Sequence, residues 1–373
     1  VKLAMTVMVR DEADIIRPMI EHHLDQGVDV LIVTDNGSVD GTAEILGEFA
    51  ERGLIDLRHD PVQRKQQSSV VTGMARDAAT RYGADWVVNA DADEFWVTRD
   101  PALTLKQAFE HIDPALRAFT VPVVDMTGPA ALAGTGLQRL IYRDERTVEQ
   151  LNAVGLHAHS TPDAVHVGDP DIEVAQGNHF VNLESAGEPD PAYAVEVLHF
   201  PWRSWRQFAH KVENAGRAYE SNPELTPSPN HHGMRDYRRL RAGTLLASYL
   251  VRNPTADELE RGLADGSFRL ERRIADRWPS PVADELVDEQ AYAQEYAYGR
   301  ELGAMELRIR ELERQGVRER DMIFDLSDQV GALNAHIAEL STAVTEARQR
   351  ADERLSAKVA RVVRQRSSRR DHA

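Results

Sequence analysis

The sequence predicts an α/β protein: a mostly parallel sheet flanked by helices, followed by a helical segment and a C-terminal coiled coil. Three observations carry this. Short apolar runs alternate with amphipathic stretches through the first hundred residues, several runs end in acidic or polar loops, and after Leu302 apolar residues recur at intervals of three and four. The expected division is a main domain over residues 1–220, a helical accessory segment over 221–300, a coiled coil over 301–363 and a basic disordered tail over 364–373.

The apolar run Leu3–Val9 predicts a buried strand that leads into the charged turn Arg10-Asp11-Glu12, and residues 15–26 an amphipathic helix. Residues 30–34 predict a second strand ending in the turn formers Asp35-Asn36-Gly37-Ser38. Asp40 is placed to cap a helix over 41–52. A short strand at 54–58, a helix at 68–82 and a strand at 86–88 complete the alternation, the last ending in Asn89-Ala90-Asp91-Ala92-Asp93-Glu94. Beyond it the clearest signals are strands at 119–124 and 194–199 and a helix at 204–219. Residues 221–233, rich in Pro, Asn and His, are expected to be an exposed loop with His231 and His232 at the surface, and 235–275 to be helical.

From Leu302 the apolar positions Met305, Ile309, Leu312, Ile323, Leu326, Val330, Leu333, Ile337, Leu340 and Val344 hold a heptad repeat that Gly316 and Glu319 should weaken or bend. β-Branched residues in one seam row facing leucine in the other favour a parallel two-stranded coil, hence a homodimer. A long amphipathic helix folded back on the main domain is the alternative. The closing residues, with Ser367-Ser368-Arg369-Arg370, are expected first to be a solvated terminus, with attraction to anionic lipid as their functional reading.

Composition narrows the chemistry. With no cysteine there is no disulfide framework, thiolate metal site or cysteine nucleophile. A formal net charge of −17 argues against a general nucleic-acid binder, and means that a diphosphate ligand would need a local cation, most simply a divalent metal such as Mn²⁺ or Mg²⁺. The first residues lack the pattern of a signal peptide, and no stretch approaches the roughly 18 apolar residues of a membrane helix. The expected location is the cytoplasm, with contact at the inner face of the membrane through the basic tail.

In an open parallel sheet, ligands bind beyond the carboxyl ends of the strands. Arg10-Asp11, Asp35-Asn36 and Asp91-Asp93 all fall there. Alternation along an extended chain would set Asp91 and Asp93 on one side, as hard oxygen ligands for Mg²⁺ or Mn²⁺ shared with substrate phosphates. Asp35 could accept hydrogen bonds from a base or ribose, or simply stabilise its own turn. Trp86 and Phe95 are expected to pack in the core.

The stretches VRDEADIIRPMIEHHLDQGVD, DNGSVDGTAEIL and DWVVNADADEFW, in that order, resemble the family 2 glycosyltransferases, in particular a bacterial branch close to the family 92 type. HFPWRSWRQFAHKVENAGRAY at 199–219 resembles a segment downstream of the core in that branch. The resemblance implies a GT-A fold over 1–220, a nucleotide-sugar donor, a divalent metal and an inverting, hexosyltransferase-type reaction on a glycan or lipid-linked acceptor in cell-surface polysaccharide synthesis. The lack of a membrane helix and of the acceptor-side motifs named below argues for a non-processive one. Carried onto this chain, it places Val9 and Arg10 in the nucleotide pocket, Asp35 on the base or ribose, Asp91 on the ribose or metal and Asp93 on the metal. It makes His179 and His199 alternative further metal ligands, each of which could instead be a core histidine. Arg203, Arg206 and Lys211 lie in the downstream match and are candidates for the diphosphate, against the alternative of a solvated helix face. An inverting reaction needs a base; Asp125 and Glu173 are the two candidates. The Glu-Asp pair and Gln-x-x-Arg-Trp motif of many family 2 members are absent from the sequence.

Two other readings stand beside this one. A sugar nucleotidyltransferase would carry a glycine-rich phosphate loop where Val9-Arg10-Asp11-Glu12-Ala13 stands. A non-catalytic coiled-coil scaffold would have no need of Asp35, Asp91 and Asp93.

Overall fold

Seven apolar or β-branched residues in a row fit a strand covered on both faces, and Leu3–Val9 forms β1 at the centre of a sheet. The computed structural model describes residues 1–62, 67–156, 158–220 and 232–370. It continues with α1 (Ile16–Asp25), β2 (Val30–Asp35), α2 (Thr42–Glu51), β3 (Asp56–His59), α3 (Gln67–Thr80) and β4 (Trp86–Ala90). Strands β3, β2, β1 and β4 lie side by side and parallel. Met5, Val7 and Val9 pack with Ile16, Met19, Ile20 and Phe49 on one face, whereas Ala4, Ile32 and Val87 pack with Val71, Met74 and Ala78 of α3 on the other. The mostly parallel sheet with helices on both faces is the architecture that the sequence predicts. The helix expected from Asp40 begins one residue later, behind Gly41 in a left-handed conformation, but Asp40 still accepts the Thr42 backbone N–H at 3.0 Å.

The chain then forms β5 (Glu94–Thr98), α4 (Leu105–Phe109), β6 (Ala118–Val121), β7 (Val123–Thr127), β8 (Ala131–Ala133), β9 (Tyr142–Asp144), α5 (Val148–Ala153), β10 (Asp163–Val167) and β11 (Val195–His199). The strand expected over 119–124 is in fact two. Pro122, which has no N–H to donate to a ladder, separates β6, paired with β10 in the first sheet, from β7, paired with β9 and β11 in a second. The first sheet has the order β3-β2-β1-β4-β10-β6.

Next come α6 (Trp205–Glu220), α7 (His232–Arg241), α8 (Leu245–Arg252), α9 (Ala256–Asp265), β12 (Phe268–Leu270), β13 (Glu285–Leu286) and α10 (Ala293–Arg370). The helical expectation for 235–275 fails at its end, because Gly266 with φ of 84° terminates α9 and the following residues pair as β12 with β9. The loop expected over 221–233 lies largely outside the described residues. Helix α10 runs unbroken through Gly316 and Glu319. By contacts the chain forms two units, Val1–Leu307 and Arg308–Ala373. Among the described residues no helix is long and apolar enough to cross a membrane.

Candidate active site

The carboxyl ends of β1 and β4 and the inner face of α6 enclose a cleft of about 260 Å³. Of the residues expected at a site, Val9, Arg10, Asp91, Asp93 and Lys211 line it; Glu12, Asn36, Gln67, His210, Asn214 and Tyr219 line it as well. Three of these additions come from α6, whose helical spacing turns positions 211, 214 and 215 to one side.

The turn after β1 is held from two directions. Asp11 adopts a φ of 56°, which is unfavourable for a residue with a Cβ. Its carboxylate accepts the Val39 N–H at 2.8 Å, His210 Nε2–H at 3.0 Å and Asn214 Nδ2 at 2.9 Å, so one buried acidic group ties β1, the loop after β2 and α6 together. Arg10 Nη1 donates to the Asn36 carbonyl at 2.6 Å. Asp35 is buried but does not line the cleft. It accepts the Ser38 N–H at 3.2 Å across a turn in which Gly37 has φ of 68°.

After β4 the chain turns instead of continuing extended: the Glu94 N–H reaches the Asp91 carbonyl at 3.2 Å. The expected alternation is therefore lost, and the two aspartates meet different partners. Asp91 Oδ1 accepts from Gln67 Nε2 at 2.9 Å and Asn178 Nδ2 at 3.1 Å. Burial, reinforced by the Asp93 charge, pushes the Asp91 carboxyl upward. Asp93, 1% exposed, accepts from Lys211 Nζ at 2.5 Å and lies 3.5 Å from Arg203 Nη1. Burial alone would raise its carboxyl, but Lys211, His199 and Arg203 outweigh that and hold it well below the usual range. Glu94, whose carboxylate caps the Asp91 N–H at 2.9 Å, is raised well above its ordinary value by burial and by Asp163 and Asp91.

Arg203 is fully buried and does not line the cleft. It forks onto Asp14 at 2.8 and 3.0 Å, binds Glu12, and donates to the Phe200 carbonyl at 3.3 Å. This expected phosphate ligand is the internal counter-ion that joins the β1 turn to Asp93. Glu12 is pushed up to about 7 by burial, against the pull of Arg203 and Lys211, with the Asp93 and Asp14 charges adding to the rise.

His199 is brought to Asp93: Nε2 lies 3.9 Å from the carboxylate, while Nδ1 is 2.9 Å from Asp125 Oδ1. Asp125 also accepts from Ser160 Oγ at 2.7 Å and the Ser160 N–H at 3.1 Å, with His159 at 3.8 Å. Burial would raise the Asp125 carboxyl, but His159, His199 and Ser160 hold it well below the carboxylate range. His159 is raised to about 9, chiefly by Asp125. A carboxylate so fully engaged is suited to orienting His199 more than to taking a proton.

Besides Asp35, three expected residues neither line the cleft nor join the network of Asp93, His199, Arg203 and Asp125. Glu173 is exposed and lies 3.8 Å from Arg76. Arg206 is exposed beside Glu285 at 3.5 Å. His179 turns Nδ1 to the buried Asp163 at 2.9 Å, while its neighbour Asn178 takes the place at Asp91.

Among the described residues no three His, Asp or Glu side chains converge as a preformed ion cage. The donors present nonetheless fit a divalent ion shared with a ligand. Asp93 already accommodates an ammonium as a stand-in cation, and His199 offers Nε2 beside it with Nδ1 tied to a carboxylate, the usual outer-shell support for a ligating histidine. One or two side-chain donors completed by substrate phosphates is the common arrangement for Mg²⁺.

The family model for glycosyltransferase family 92 matches residues 3–118. That stretch is similar to family 92. It contains β1 to β5 and every cleft residue contributed before α6 except Gln176, and it bears out the family 92 resemblance seen in the sequence. No curated protein matches the chain. Among solved structures, the 1–349 portion of S. aureus TarS is 12% identical, covering 67% of this chain and 80% of that one with a TM-score of 0.34. Its complex with UDP-GlcNAc is 13% identical, covering 71% and 75% with a TM-score of 0.33. The glucosyl-3-phosphoglycerate synthase of Mycobacterium tuberculosis, crystallised with Mn²⁺, UDP and glucosyl-3-phosphoglycerate, is 14% identical, covering 68% and 81% with a TM-score of 0.28. At such scores these likenesses carry no argument for the chemistry of this chain.

Proposed function

We propose that this chain transfers a sugar from a nucleoside-diphosphate donor to a glycan or lipid-linked glycan, inverting the anomeric centre in a non-processive reaction of cell-surface polysaccharide synthesis. The observation that carries the reading is the cleft in which Arg10 and Glu12 beyond β1's end, Asp91 and Asp93 after β4, and Lys211 of α6 meet, within and beside the stretch that matches family 92. Such an arrangement suits a ligand with a polar base-ribose end and an anionic diphosphate.

In this reading the turn at Val9–Arg10 and Asn36 receives the nucleoside end, with Arg10 held in place by the Asn36 carbonyl. Asp93 and His199 would hold a divalent ion, Mn²⁺ or Mg²⁺, with Asp91 close by. When bound, that ion supplies positive charge to the departing nucleoside diphosphate. Lys211 adds a mobile cation at the same end of the cleft, and Arg203 keeps the acidic residues in register from behind. Asp125 orients His199.

The test is thermal stability of the purified chain with UDP, GDP and dTDP, each with and without Mn²⁺, in wild type and Asp93→Ala. A stabilisation of about 2.7 kcal/mol is expected at a hundredfold excess over Kd, for one nucleotide, only with metal and only in wild type. Absence of any shift with all three nucleotides would overturn the reading.

A further inference from the structure

Asp93 carries two cations of opposite character. Arg203 is fully buried, forks onto Asp14, binds Glu12 and donates to the Phe200 carbonyl, so it has nowhere to go. Lys211 sits at 2.5 Å from the same carboxylate, yet its side chain is 45% exposed and it lines the cleft. Among the described residues its only other ionic contact is Glu12 at 3.7 Å. An ammonium on an unbranched four-carbon stem re-aims its three donors by rotating about single bonds, which a forked guanidinium cannot do.

The Asp93 oxygen that Lys211 holds, Oδ2, is also the one that His199 Nε2 faces at 3.9 Å. A divalent cation between that carboxylate and that imidazole would lie against the ammonium, and like charges at such range repel strongly inside a protein. From this geometry we infer that Lys211 is a displaceable counter-ion: it neutralises Asp93 until a divalent cation arrives with a diphosphate, then swings onto the diphosphate oxygens. This rests on the transferase reading and adds an order to it. Metal alone binds weakly because it must evict Lys211, and metal with diphosphate binds well because the evicted ammonium gains a new anion. A fixed Lys211–Asp93 ion pair would produce no such coupling.

The experiment titrates Mn²⁺ into the full chain, following free Mn²⁺ by electron paramagnetic resonance, without and with inorganic pyrophosphate at a fixed concentration. Lys211→Met is expected to tighten binding of Mn²⁺ alone about tenfold or more, while weakening pyrophosphate binding in saturating Mn²⁺ by a similar factor. Lys211→Arg, which keeps the charge, should leave binding of Mn²⁺ alone as weak as in wild type and control for folding. Asp93→Asn should abolish Mn²⁺ binding in both the wild-type and Lys211→Met backgrounds. Unchanged or weaker Mn²⁺ binding in Lys211→Met, with Asp93→Asn still abolishing it, would overturn the displacement while leaving the metal-assisted reading intact. Mn²⁺ binding indifferent to Asp93→Asn would overturn both.

Discussion

His199 and Asp125 are register partners in the parallel pairing of β11 with β7, and their side chains meet at 2.9 Å between Nδ1 and Oδ1. The backbone ladder itself therefore fixes the imidazole. With Nδ1–H donated to Asp125, the ring presents Nε2 toward Asp93. Against its burial, Asp125 and Asp93 together raise the pKa of His199. A slip of one residue between the strands would turn either side chain to the opposite face.

Asp125→Asn is consequently expected to act through the histidine. Outer-shell partners of this kind typically contribute about 10- to 100-fold to metal affinity or activity. The measurement is the Mn²⁺ dependence of donor turnover, which should shift to higher metal concentration by that factor. A fall in kcat with the Mn²⁺ dependence unmoved would instead make Asp125 the base.

Arg203→Met leaves Glu12, Asp14 and Asp93 without their shared counter-ion in a buried setting. Removing one partner of a buried ion pair costs about 3–5 kcal/mol, so urea denaturation should show a loss of that order. Arg203→Lys should recover little of it, since one ammonium cannot fork onto Asp14 and also bind Glu12. Arg206→Met, three residues on and exposed, should change stability by less than about 0.5 kcal/mol.

These two arginines illustrate what the sequence makes legible. The strand ends are readable because buried apolar runs stop abruptly at Arg10-Asp11, Asp35-Asn36 and Asp91-Asp93, and all three reach the cleft, the second through Asn36 and not Asp35. A spacing of three predicts that Arg203 and Arg206 share one helix face, but Arg203 precedes the first turn of α6 and is buried while Arg206 is exposed. Glu12, Asp14, His210 and Asn214 lie within the segments that carry the family resemblance, yet nothing local distinguishes them from solvated residues. Their roles arise only when α6 docks on the β1 turn through Asp11, a contact spanning about half the chain. The division at Pro122 carried a visible signal, a residue unable to donate within a ladder.

The buried pair His22 and His23 gives the protein an acid-sensitive joint. His23 donates from Nδ1 to the Met19 carbonyl at 2.8 Å and accepts the Trp96 N–H on Nε2 at 3.1 Å, and His22 donates to the Trp96 carbonyl at 2.8 Å. The pair thus satisfies both backbone groups of Trp96 on edge strand β5, and His23 can do so only when neutral. Burial depresses both rings, His22 to about 4. For a depressed histidine the unfolded chain binds the proton first, so stability falls as pH drops from about 6.5 toward 4, by roughly 1.4 kcal/mol per pH unit for each ring. Glu12, Asp91 and Glu94, raised in the fold, act with the opposite sign over part of that window. The quantity to measure is therefore the difference in slope between wild type and His22→Gln/His23→Gln in urea denaturation from pH 7 to 4.5. The double variant should lack the acid-dependent loss that the two rings contribute; parallel slopes would rule the pair out as its source.

Helix α10 presents Ile323, Leu326, Val330, Leu333, Ile337, Leu340 and Val344 at 51–64% exposure along one heptad seam. A two-stranded parallel coil covers such a row when β-branched residues occupy one core position and leucine the next. Full burial of each side chain is worth roughly 1.5–3 kcal/mol, enough in sum for association at micromolar concentration once the entropy of association is met. Sedimentation equilibrium should then show the full chain as a dimer and a chain ending at Leu307 as a monomer. Val330→Glu with Ile337→Glu should dissociate the full chain without altering the melting transition of the unit Val1–Leu307, because the seam lies beyond it. If the shortened chain remained dimeric, α10 would not be the interface.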